Sequence, residues 1–321
     1  MRKVLAQIKP YLRWFILGGV LFFLLETVKD RFAEVAVVRV EGQDWLMLAI
    51  ALTITIMAHV WSGWVWTWIL AIFKQPLGVK QGIKVYLLTN IAKYSPGNIW
   101  HFYGRITTVA NQGGSRSAAT LSVLLEPLLM AAAALLIGII SSSLDVSKVY
   151  AMKIFWLQLA SLTAVLIGIQ PRILNALLHR LSRSKNQADA MLTASFPIAA
   201  ETVKLTKYPL LPFLGEIGFV IFRGIGFILT FVSLQSVTWQ QIPQLFTAFS
   251  FAWLLGLVVP GAPGGLGVFE VTAYGLLDDS QFPAEIAAVA LYRLISILAE
   301  AIAALVSIEL HKKTQPSKGK D

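Results

Sequence analysis

The 321-residue chain contains no cysteine, which removes disulfides, thiol catalysis and thiolate metal sites from consideration. Its four histidines, His59, His101, His179 and His311, fall at no ligand spacing, so no metal and no cofactor is expected. Charged residues make up only 14% of the chain, against roughly 25% in a soluble globular domain. No phosphate-binding G-x-x-x-x-G-K-[ST] run is present. Paired catalytic carboxylates and a nucleophile–base spacing are missing too, so enzymatic activity is not expected.

Apolar residues fill the space left by charge: 56% of the chain is hydrophobic and the mean hydropathy is +0.69. This points to an all-α, polytopic transmembrane helix bundle. Six stretches approach spanning length: 12–28, 45–73, 118–141, 153–170, 209–235 and 286–310. The first follows Arg2, Lys3, Lys9 and Arg13 and lacks a small-residue cleavage site, so an uncleaved anchor is expected. The net charge of +10 does not imply nucleic acid, because the basic residues sit in short loops between apolar runs, as cytoplasmic loops do.

Two further apolar stretches are interrupted. Ser95-Pro96-Gly97 cuts 85–111, and Pro260-Gly261-Ala262-Pro263-Gly264-Gly265 cuts 244–277. Proline removes a backbone donor and glycine adds backbone freedom, so neither stretch is one straight helix. The basic residues predict that both re-enter. With each broken stretch returning to its own side, the N-terminus, Lys74, Lys80, Lys84, Arg116, loop 171–208 (Arg172, Arg180, Arg183, Lys185, Lys204, Lys207) and the tail all face the cytoplasm. A full crossing by 85–111 would put that loop outside. About six full spans and two opposed re-entrant hairpins follow, in inverted-repeat relation. This is the layout that secondary transporters use to build a mid-membrane solute site.

The chain is read as one integral membrane domain, 1–321, with one half near 1–141 and the other near 153–310. A disordered cytoplasmic tail is expected at 311–321, and an inner (plasma) membrane location with both termini cytoplasmic. Loop 171–208 is expected on the membrane surface.

Candidate site residues cluster at the breaks. After Pro96-Gly97, Asn98 is placed to cap a new helix whose N-terminus favours a phosphate or carboxylate. Arg105 lies two turns further on, with Glu126 of the next span as a possible partner. In the second half, Gly264, Gly265 and Gly267 permit a sharp turn that closes on Glu270, for which Arg293 is the natural counter-charge. Glu216 and Arg223, and likewise Arg293 and Glu300, are seven residues apart and share a helix face, where the pairs are placed to relay protons, to bind a charged head group or, the favoured reading, to neutralise each other. Trp61, Trp64 and Trp68 are read as an interfacial aromatic belt.

These paired motifs, Pro96-Gly97…Arg105 and Pro260…Gly264-Gly265-Leu266-Gly267…Glu270, resemble the lysylphosphatidylglycerol synthetase transmembrane (flippase-like) family. The resemblance implies a standalone member without the soluble aminoacyl-transferase domain. It also implies that Arg105, Gly264, Gly265 and Glu270 move an anionic or aminoacylated phospholipid between leaflets. Many relatives carry Gly-Glu after the first proline where this chain reads Trp100-His101. Membrane lipid head groups are the expected partners. A competing expectation is a non-transporting membrane partner or scaffold of a lipid-modifying or glycosyl-transferring enzyme.

Overall fold

The computed structural model describes residues 42–95, 98–144, 151–176, 203–259, 262–277 and 282–314. The expected anchor 12–28, most of the basic loop and most of the tail lie outside the described residues. So do Pro96, Gly97, Pro260 and Gly261. Among the described residues the chain is all-helical, with no strand.

The main helices are α1 (Gly42–Ile72), α2 (Val79–Asn90), α3 (Trp100–Asn111), α4 (Arg116–Leu144), α5 (Ala151–Gly168), α6 (Leu210–Val232), α7 (Ile242–Val258), α8 (Val268–Tyr274) and α9 (Phe282–Thr314). Among the described residues, five segments are long and apolar enough to cross a membrane: Asp44–Ile72, Arg116–Leu144, Leu210–Val232, Trp239–Val258 and Ala284–Glu309. Their outward faces carry large apolar side chains such as Leu211 and Leu305, each more than 60% exposed, which a soluble surface rarely tolerates in such number. These features are those of an integral membrane protein.

One length departs from expectation: Trp239–Val258, expected as one limb of a broken hairpin, is long enough to cross. α5 itself is 18 residues long, close to the expected stretch 153–170.

Both interrupted stretches are broken. α2 runs into a 3₁₀ turn, Ile91–Tyr94, before α3 starts, and α7 gives way to a second 3₁₀ turn, Pro263–Gly265, before α8. Each half therefore has the same order of elements: a long helix, a broken pair and another long helix. The corresponding helices α1 and α6 pack antiparallel. Gly215 lies against Val65 and Gly226 against Thr55, so higher numbers on one helix meet lower numbers on the other. These glycines let the two backbones approach, as small residues do between membrane helices. Trp61 lies near the middle of α1 and donates its indole N–H to the Gly215 carbonyl at 2.7 Å. It stacks edge-to-face on Trp64 and Trp68. This corrects the belt reading for Trp61, whose polar atom joins two helices instead of meeting head groups.

Candidate functional site: a charged cavity where the two breaks meet

The tips of the two broken stretches touch. A Cβ placed on Gly264 would lie 2.4 Å from the Tyr94 ring, and one on Gly265 would lie 2.9 Å from the Gly256 backbone. Gly264 and Gly265 both have positive φ, +59° and +75°, so they are glycines for conformation as well as for contact. Asn98 also adopts a left-handed conformation (φ +48°), which asparagine tolerates better than most residues, and its N–H donates to the Ser95 carbonyl at 3.1 Å.

Beside this junction lies a cavity of about 330 Å³. His59 of α1, Glu126 of α4, Arg223 of α6 and Arg293 of α9 line it, and each sits near the midpoint of its long helix. α7 ends at the same level, since its Gly256 and Leu257 line the cavity too.

Apart from the partly exposed Lys93, the charges are deeply buried, and most are matched. Arg105 donates to Glu126 at 2.6 Å, with both residues about 2% exposed. Its guanidinium stacks 3.8 Å from the centroid of the Tyr86 ring, and its Nε reaches Thr89 Oγ1 at 3.3 Å. Arg293 donates from Nε to Glu270 Oε1 at 3.1 Å and from Nη2 to the Gly264 carbonyl at 2.9 Å. The other oxygen of Glu270 accepts the Gly267 N–H at 2.7 Å. Lys93, at the first break, donates to Glu300 at 2.6 Å. A lone ionised side chain at this depth is unfavourable by several kcal/mol, so pairing within the bundle explains where these residues point.

Of the expected binding residues, Asn98, Arg105, Gly264, Gly265 and Arg293 line the cavity. Gly267 and Glu270 do not. Glu270 instead bridges the second break to α9, so it braces the turn. Pro96 and Gly97 lie outside the described residues.

Several expectations are corrected. Asn98 does not cap α3: the N-cap position belongs to Ile99, with no side-chain hydrogen bond, and the buried Asn98 Oδ1 has no partner. Glu216 does not pair with Arg223, because both of its oxygens lack a hydrogen-bond partner while Arg223 turns to His59 at 2.9 Å. Arg293 does not pair with Glu300, since each has a nearer partner on another element. In both helices the seven-residue spacing separates Cα atoms by about 10.5 Å along the axis. A shared face did not bring the groups together.

His59 and Lys93 were not assigned in the sequence. A lone histidine inside an apolar span and a lysine just before a helix break are the signals that mark them. Compared with protein-family models and with curated proteins, the chain matches none of either.

Proposed function

We propose that this protein moves an anionic, phospholipid-like substrate between the leaflets of a membrane. The observation that carries the reading is the two-sided character of the cavity. One wall is charged, built from Lys93, Arg105, Arg223 and Arg293, with Glu126 beside Arg105. The other is apolar and includes Leu124 and Leu128, one turn apart on α4 and 40% and 39% exposed on the outside of the bundle. A polar head group fits against the first wall while acyl chains remain in the bilayer beside the second. A wholly soluble solute would have no use for an apolar opening onto lipid.

The antiparallel packing of α1 and α6 and the repeated order of elements support an inverted repeat. The end of α7 at mid-depth, in contact with the first break, supports two re-entrant limbs that dip in from opposite sides. On this reading both termini face the cytoplasm of the inner (plasma) membrane. The likeness of the two Pro/Gly motifs to the lysylphosphatidylglycerol synthetase transmembrane family supports the same activity, which is movement and not catalysis.

The test is reconstitution in phosphatidylcholine vesicles with tail-labelled phosphatidylglycerol, following loss of label to an outer-leaflet quencher. Wild type should equilibrate the label faster than empty vesicles, and Leu124→Trp with Leu128→Trp, which narrows the apolar opening and spares the charged wall, should slow it. Equal rates with and without protein would overturn the proposal.

A further inference from the structure

The four cations of the cavity are not equivalent. Lys93, Arg105 and Arg293 each reach a carboxylate: Glu300, Glu126 and Glu270 respectively. Arg223 lines the same cavity at 3% exposure and reaches no carboxylate among the described residues. Its Nη1 lies 2.9 Å from His59 Nε2, and its Nε has no hydrogen-bond partner. An arginine has donors only, so His59 Nε2 accepts and the imidazole is the neutral form with its proton on Nδ1. A neutral ring supplies no counter-charge. Glu300 approaches the same nitrogen at 3.4 Å, but it is held by Lys93 at 2.6 Å. Arg223 is therefore the one of these four cations without a direct carboxylate partner, and its Nε is unused; Glu216, buried on the same helix with neither oxygen hydrogen-bonded, is not among its contacts.

Buried guanidinium groups are stable when an anion or a ring of acceptors meets them. We propose that Arg223 is the anion-docking residue of the cavity and that it takes a phosphate-ester oxyanion of one net charge. The guanidinium donates to the oxyanion from the side that lines the cavity, and His59 holds its plane. This rests on the transport reading and adds to it the site and the chemistry of recognition. The same chemistry could come from a lipid phosphodiester or from a free phosphate, and the two are separated experimentally.

The full chain in neutral detergent is titrated with dihexanoyl phosphatidylglycerol, glycerophosphoglycerol, inorganic phosphate and, as a control without phosphate, dihexanoylglycerol. Wild type should bind at least one phosphate-bearing probe and not the control. Arg223→Gln should weaken that binding about ten-fold or more, the loss expected when a charged hydrogen bond is removed. Preference for the short-chain lipid identifies the head group as the source, and equal binding of inorganic phosphate identifies a soluble anion; both support the site. If Arg223→Gln does not give a monodisperse protein, Arg223→Lys carries the test. It keeps the charge and loses the fork, so binding should weaken at least a few-fold. An unchanged Kd in the folded variant, or no phosphate-dependent binding by wild type, overturns the proposal. Binding at Arg223 without lipid movement would keep this site and remove the transport reading. Lipid movement with Kd unchanged in the variant would do the reverse.

Discussion

The ring of Tyr94 occupies the place where a side chain on Gly264 would begin. An added Cβ would stand 2.4 Å from Tyr94 Cε1, so the tips of the two broken stretches meet through an aromatic face and a bare backbone. The adjacent Gly264 carbonyl also accepts from Arg293 Nη2 at 2.9 Å, which ties the junction to α9.

Gly264→Ala should therefore be more damaging than Gly267→Ala. Both positions have positive φ, +59° and +81°, and alanine at either is strained by about 1–2 kcal/mol. Only Gly264 adds a collision, whereas a Cβ at Gly267 meets nothing within 4 Å. Overpacking contributes a further 1–3 kcal/mol or so. Thermal unfolding in detergent should show a clearly larger drop for Gly264→Ala. Equal drops would mean that the tips do not pack as described.

Arg105 and Glu126 should behave as a coupled pair. Removing one partner from a buried ion pair leaves an uncompensated charge, at about 3–5 kcal/mol. Arg105→Gln and Glu126→Gln should each lower stability strongly, and the double variant should lose much less than the sum. A double-mutant cycle on unfolding midpoints measures this coupling. Additive losses would place the two side chains apart.

Glu270 should act as a brace. Its two oxygens serve Gly267 N–H and Arg293 Nε separately. Glu270→Gln keeps an acceptor for the first and loses the charge facing the second, whereas Glu270→Ala loses both. The alanine variant should be less stable than the glutamine variant by about 1–3 kcal/mol, the penalty of an unmet buried donor. Unfolding midpoints in the same order of stability, wild type, then glutamine, then alanine, are the expected result.

The breaks, the helical bundle and the charged residues that gather near them were legible in the sequence, because Pro-Gly runs inside apolar stretches and ionised groups inside spans both have few physical explanations. The partners were less legible. Glu216 and Arg223 share a helix face, and so do Arg293 and Glu300, yet periodicity says only which side a residue faces and not which neighbour stands there. Arg223 found His59 across the α1–α6 contact, and Glu300 found Lys93 at the first break. Such pairings depend on how the two halves dock, which no spacing within one helix encodes. The length of Trp239–Val258 was less legible too: at 20 residues it is long and apolar enough to cross a membrane, and composition alone does not say where such a helix stops.

Glu300 offers a prediction that separates charge from structure. Its carboxylate holds Lys93 at 2.6 Å and lies 3.4 Å from His59 Nε2, so it is the nearest recorded carboxylate neighbour of the Arg223–His59 pair. Glu300→Gln removes one negative charge and leaves Lys93 as a second unmatched cation beside the cavity. Stability should fall, since Lys93 loses its buried partner. Phosphate-ester binding should nevertheless be at least as tight as in wild type, because the wall then carries more uncompensated positive charge and attraction at low local dielectric is strong. Arg223→Gln should change binding in the opposite sense. Titration of both variants with dihexanoyl phosphatidylglycerol, each first shown to be monodisperse, reads the two signs directly; weakened binding in Glu300→Gln would mean that the cavity does not recognise its ligand by excess positive charge.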